Sequence, residues 1–174
     1  MRFIVIIWLM VTLVNACNDK ASSKKIELTQ QEVNRGMEDV NRQMTLEEDA
    51  VIEGYAERRG WNMIKTGTGV RYEIYKSGPD GPLAKEGQVA ELNYKVSLID
   101  GTVVYSSDKV GSRSFLIGQD NVESGLHEAV TYMKVGDHAR VILPSHRAHG
   151  LSGDNQKIPP RSTVIYDLHL LALK

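Results

Sequence analysis

Only a few side chains in this sequence have the type and spacing to do chemistry. His146 and His149 form an H-x-x-H pair, which on a helix can supply two zinc ligands, but Ala148 and Gly150 place it in a loop and no third ligand is evident. No metal site is therefore expected. Tyr94 and Tyr166 fall on the apolar faces of two alternating runs, where a tyrosine is by default a core aromatic. No nucleophile is spaced for activation by a base, and no glycine-rich phosphate loop is present. The remaining reactive group is Cys17, the chain's single cysteine, so no disulfide is expected.

The surroundings of Cys17 give it a role. Arg2 is followed by the uncharged run "FIVIIWLMVTLV", too short and too near the terminus for a comfortable membrane span and shaped like a secretory leader. The run ends in "VNAC", which resembles the bacterial lipoprotein cleavage box, where a cysteine is lipidated and becomes the new N-terminus. The expectation is a signal peptide over 1–16, lipidation at Cys17, a polar tether over 17–27, and a protein held by its acyl anchor on a bacterial membrane, facing the periplasm or cell surface. A formal charge of −1 gives no electrostatic case for nucleic acid, and 41% hydrophobic with 25% charged residues is a globular composition.

The elements that must position the remaining side chains follow from periodicity. Two T-x-x-E capping boxes, Thr29 to Glu32 and Thr45 to Glu48, predict two helices within a helical segment spanning 28–65. The first carries Val33, Met37, Val40 and Met44 as a narrow apolar stripe; the second carries Val51, Ile52, Tyr55 and Ala56 and ends near Gly60. Neither stripe can be left in water. Packing on the chain's own domain is the favoured reading because only two heptads are visible, with a dimer contact as the alternative.

Beyond "GTG" the pattern becomes β. "VRYEIY" is a strand, "VAELNYKVSL" alternates with Leu92, Tyr94, Val96 and Leu98 inward, and Asp100-Gly101 turns it back into "TVVYSS". "SFLIG" and "HARVILP" are further strands, and between them Leu126, Ala129, Val130 and Met133 share one helical face. After Pro159-Pro160, which form a stiff extended entry, Val164, Tyr166, Leu168 and Leu170 alternate with Asp167 and His169 in a half-buried strand. The fold class is α+β, a twisted antiparallel sheet wrapped on one short helix, preceded by the helical segment.

Taken in order, "GQVAELNYKVSLIDGTVVYSS", "SFLIGQDNVESGLHEAVTYMKVGDHARVILPSHRAHG" and "IPPRSTVIYDLHLLALK" resemble the FKBP-type peptidyl-prolyl cis-trans isomerases. The segment over 28–75 is similar to the N-terminal part of lipid-anchored members, including those associated with gliding motility. The resemblance implies an isomerase domain over 66–174, proline-containing polypeptides as substrates, a role in folding exported proteins, and no cofactor. It implies a pocket with Tyr94, Tyr105, His149 and Tyr166 as catalytic residues and Val104, Val122, Glu123, Leu126 and Ile158 as substrate-binding residues, Glu123 through its backbone N–H. Four positions depart from the family's usual residues. Tyr105 stands where an aspartate is usual, Arg113 where an aromatic or aliphatic residue is common, Leu126 where eukaryotic members have tryptophan, and His149 where a tyrosine hydroxyl points into the pocket. The alternative implied by those departures is a non-catalytic peptide-binding or chaperone module of a cell-envelope machine.

Overall fold

The computed structural model describes residues 29–174. The expected leader over 1–16, the tether over 17–27 and Cys17 lie outside the described residues. The chain divides into two units, residues 1–39 and 40–174. In the first, the capping box at Thr29 is formed as expected: Thr29 N–H donates to Glu32 Oε2 at 2.8 Å and Glu32 N–H to Thr29 Oγ1 at 3.3 Å.

Where two helices were expected there is one, α1, running Gln30–Arg58. No glycine or proline lies between Met37 and Glu53, so nothing breaks the ladder there, and the Thr45 hydroxyl donates back to the Asn41 carbonyl at 2.9 Å as a mid-helix threonine does. Glu48 is thereby released from capping and bonds elsewhere in the fold.

Seven strands follow among the described residues: β1 Ile64–Lys65, β2 Arg71–Lys76, β3 Val89–Leu98, β4 Val103–Ser106, β5 Arg113–Leu116, β6 His138–Leu143 and β7 Val164–Leu173. They form one antiparallel sheet in the order β1-β2-β6-β7-β3-β4, with β5 paired to β3. Because β1 pairs with β2, the sheet begins just before residue 66. Two short α-helices, α2 Ser107–Val110 and α3 Ser124–Val130, and a 3-10 turn over Ser145–Arg147 complete the unit.

The sheet is covered on both faces. On one, α3 and the turn after it bury Leu126, Ala129, Val130 and Met133 among Val141, Leu143, Val164 and Leu168. That approach is close enough to need glycine: a Cβ on Gly125 would lie 2.7 Å from the Leu143 side chain and 3.0 Å from the Arg147 carbonyl. On the opposite face, Ile52, Tyr55 and Ala56 of α1 pack on Ile142 and Ile165. Arg71, 1% exposed, ties the same turn of α1 to β2 through Asp49 at 2.7 Å and Glu53 at 3.2 Å. The second expected stripe thus packs intramolecularly apart from Val51, which is 53% exposed. Val33, Met37, Val40 and Met44 remain 36–60% exposed, so the expected cover for the first stripe is not found among the described residues.

Candidate functional site: a cleft between the sheet, the short helix and the loop before the last strand

Strands β3 and β7 are neighbours, with Tyr94 opposite Leu168 and Val96 opposite Tyr166. The two tyrosines are therefore diagonal neighbours on one face, close enough for aromatic side chains to share a wall. Val122 and Leu126, at the start of α3, close the floor of this space together with Leu92 and Phe115, leaving a cavity of about 30 Å³, room for a water or two. A second cavity of about 280 Å³ adjoins it, sharing Tyr94, Arg113, Glu123 and Tyr166 and adding Tyr105, His149, Asp154 and Gln156. A larger groove of about 630 Å³ runs beside α1, but none of the expected site residues lines it.

The wall contributed by the loop after β6 is built by one carboxylate. Asp154 Oδ1 accepts from the backbone N–H groups of Gln156, Lys157 and Ile158 at 2.9, 2.9 and 2.8 Å, and Oδ2 accepts from the Tyr105 hydroxyl on β4. The loop can double back this tightly because Gly153 has φ +67°, and any Cβ there would sit 2.2 Å from the Ile158 carbonyl. Lys157 Nζ donates to the Val104 carbonyl at 3.1 Å and lies 5.0 Å from the Tyr105 ring centre. Burial by itself would raise the pKa of Asp154; the Tyr105 hydroxyl and the three backbone N–H groups outweigh it and hold the pKa at about 2. In return the hydrogen bond to Asp154, then burial, then the charge of Asp154 raise the Tyr105 pKa.

A second carboxylate faces the first across the cleft. Glu123 precedes α3 with φ −59° and ψ 135°, and its carbonyl accepts from the N–H groups of Leu126 and His127 at 2.9 and 3.2 Å. Its own N–H donates to no group among the described residues. The Glu123 side chain is only 13% exposed, with Oε1 2.7 Å from His149 Nε2. That approach is off the line of a hydrogen bond, and Nε2, sealed from solvent, makes no other bond. Burial first, then the charge and hydrogen bond of Glu123, push the Tyr166 pKa well above that of a free phenol. Both phenols are thus neutral hydrogen-bond donors at neutral pH.

Of the nine residues expected at the site, Tyr94, Tyr105, Val122, Glu123, Leu126, His149 and Tyr166 line the two adjoining cavities. Val104 and Ile158 do not line these cavities; at 7% and 3% exposure they lie in the core behind the wall. His146 does not share a ligand with His149, because its Nε2 sits 3.1 Å from the Thr68 carbonyl. Among the described residues no three metal-ligating side chains gather. Asp154 was missed, although its place after a glycine in a loop is the usual setting for a carboxylate that gathers backbone N–H groups.

A family model described as FKBP-type peptidyl-prolyl cis-trans isomerase matches residues 81–171. Peptidyl-prolyl cis-trans isomerase FKBP1A of Xenopus laevis is 35% identical over 107 residues, covering 61% of this chain and 99% of the relative. Human peptidyl-prolyl cis-trans isomerase FKBP9 is 30% identical over 100 residues, covering 57% of this chain; the chain spans 18% of that much longer relative. The crystal structure of FkpA from Escherichia coli superposes with a TM-score of 0.61 at 25% identity, covering 85% of this chain and 74% of that one. The family model takes in more than half of the chain, including β3 to β6 and most of β7, the strands and loops that surround the cleft: the chain belongs to the FKBP-type peptidyl-prolyl cis-trans isomerase family.

Proposed function

We propose that the chain is a peptidyl-prolyl cis-trans isomerase that assists the folding of exported polypeptides while anchored in the cell envelope by lipid on Cys17. The observation that carries the enzymatic part is the convergence of Tyr94, Leu126 and Tyr166, the unbonded Glu123 N–H and the Tyr105–Asp154 pair on one cleft. Rotation about a peptide bond faces roughly 18–20 kcal/mol because the twisted state loses amide resonance. Lowering it requires no covalent step. The apolar floor takes the proline ring, and the twisted bond, whose nitrogen and carbonyl are no longer conjugated, is less dipolar than the planar one and better suited to that surrounding. The Glu123 N–H holds one flanking carbonyl while the other rotates past the Tyr105 side of the cleft. Catalysis is then tighter binding of the twisted form than of either planar isomer.

A protease-coupled assay on the chain with X-Pro peptides tests this reading: acceleration of cis-to-trans exchange supports it, and binding without acceleration favours a peptide-binding module. That second reading draws on one observation, the Glu123 carboxylate and His149 ring held together in the cleft where an uncharged imide must enter. The anchor has its own test. Cys17→Ser is expected to release the protein from membranes, since each buried acyl CH₂ gives about 0.8 kcal/mol; continued sedimentation of an acylated C17S protein would overturn it.

A further inference from the structure

The loop from Pro144 to Thr163 carries His149, Asp154 and Gln156 into the cleft wall, and it has to be held at both ends for that wall to have a fixed position. Besides the pairing of Leu143 with Val164 where β6 and β7 meet, both ends are held by one side chain that belongs to neither the loop nor the sheet. Glu48 Oε1 accepts from the Ser145 N–H at 2.7 Å and from the Thr163 hydroxyl at 2.7 Å, and Oε2 accepts from the Ser145 hydroxyl at 2.9 Å. Ser145 is the second residue after β6 and Thr163 the last before β7, so one carboxylate on α1 staples entry and exit together. Bonds to a carboxylate are about twice as strong as neutral ones, and three converge here.

The staple itself is rigid. Glu48 lies beside Asp49, which pairs with the buried Arg71, and one turn before Ile52, which is 0% exposed against Ile142 and Ile165. Within the loop, Asp154 and Gly153 set the local shape, and Tyr105–Asp154, Lys157–Val104 and Arg147–Glu128 contacts tie its middle to β4 and α3. The Glu48 bonds add to these ties by holding the first and last residues of the loop, from which its middle reaches the cleft.

We propose that Glu48 is a positioning residue for the cleft: through Ser145 and Thr163 it sets where the loop holds Asp154 against Tyr105 and His149 against Glu123. The kinetic arm of the test rests on the isomerase reading; the structural arm does not. The Glu48 turn of α1 is then part of the site's machinery.

The test compares Glu48→Ala and Glu48→Gln with Ile52→Ala in the full chain. Ile52→Ala weakens the packing of α1 but leaves the staple, so it serves as the control for lost stability. Displacing catalytic groups by about 1 Å can cost on the order of 100-fold, so E48A is expected to lower kcat/KM by roughly 10- to 100-fold, mainly in kcat. E48Q, which keeps one acceptor oxygen, should fall between E48A and wild type. I52A should lower Tm while kcat/KM of the folded protein stays within about twofold, well below the loss of a misplaced group. Independently, backbone amide exchange at Gln156, Lys157 and Ile158 should quicken in E48A and E48Q but not in I52A beyond its global loss of stability. If E48A does not fold, E48Q carries the comparison. Equal kcat/KM losses in E48Q and I52A at equal Tm, or unchanged loop protection in the Glu48 variants, would overturn the proposal. If wild type shows no isomerisation at all, the isomerase reading fails and the staple is decided by amide exchange alone.

Discussion

The Tyr105 hydroxyl on β4 donates to the carboxylate of Asp154 in the loop between β6 and β7. Members of the family usually carry an aspartate where Tyr105 stands and a tyrosine where His149 stands. This chain joins a phenol on the strand to a carboxylate farther along the loop than His149. Tyr105→Phe is expected to cost roughly 1–2 kcal/mol, the lower part of the range for a hydrogen bond to a charged group, because the pair is only half-buried. Asp154→Asn should cost more, since three backbone N–H groups lose a charged acceptor as well. Urea unfolding of Y105F, D154N and the double variant checks this, with a coupling near zero as the contrary outcome.

The same carboxylate sets an acid limit. Its pKa in the fold is about 2, below the roughly 3.9 of an unperturbed aspartate, so the stability it contributes is complete above the unfolded value and is lost as pH falls through the folded one. The loop is expected to keep its protected amides at pH 5 and lose them between about pH 4 and 2, whereas D154N lacks that protection at pH 5 already. Amide exchange in the two proteins across that range is the measurement.

Glu123 and His149 should tune affinity for uncharged peptides. A proline peptide entering the larger of the two adjoining cavities, which both residues line, desolvates both groups, and burying charge that finds no partner on the ligand is unfavourable. Changing both at once, Glu123→Leu with His149→Tyr, avoids orphaning either partner and is expected to tighten binding of a neutral proline tetrapeptide by about tenfold, near 1.4 kcal/mol. Calorimetric titration decides it, and weaker binding by the double variant would show that the pair contributes contacts rather than a penalty.

Much of the architecture could be read from periodicity. Leu92 and Val96 bury on one side of β3, and Leu126, Ala129, Val130 and Met133 on one side of α3 and its following turn, because strand and helix periods are local properties of the chain. The merged α1 was harder, since a capping box is a short pattern and Thr45 can bond back to Asn41 as readily as it can cap. Ile165 reads as an outward residue of β7 and is 4% exposed only because α1 covers it, which depends on where a distant helix docks. The site divides the same way. Tyr94 and Tyr166 follow from alternation, whereas the importance of Asp154 and Glu48 comes from partners 49, 97 and 115 residues away that no local pattern reveals.

Removing α1 should therefore reach the cleft. A chain beginning near Thr66 loses β1, the cover over Ile142 and Ile165, the partners of the buried Arg71 and the Glu48 staple. Loss of Ile52 packing alone is expected to cost about 2–5 kcal/mol, the range for isoleucine-to-alanine changes in cores. Circular dichroism melting of the truncated and full chains tests this, and an unchanged Tm would show that the helix is energetically incidental.

The most direct test of the central claim is exchange spectroscopy by NMR on a proline tetrapeptide at sub-stoichiometric concentration of the full chain. Uncatalysed isomerisation takes tens to hundreds of seconds, so cis and trans signals of the free peptide show no exchange cross-peaks on a sub-second mixing time. With wild type the account predicts such cross-peaks, growing with protein concentration and strongly reduced in E48A. Line broadening that shows the peptide bound, with no cis–trans cross-peaks at any concentration, would contradict it.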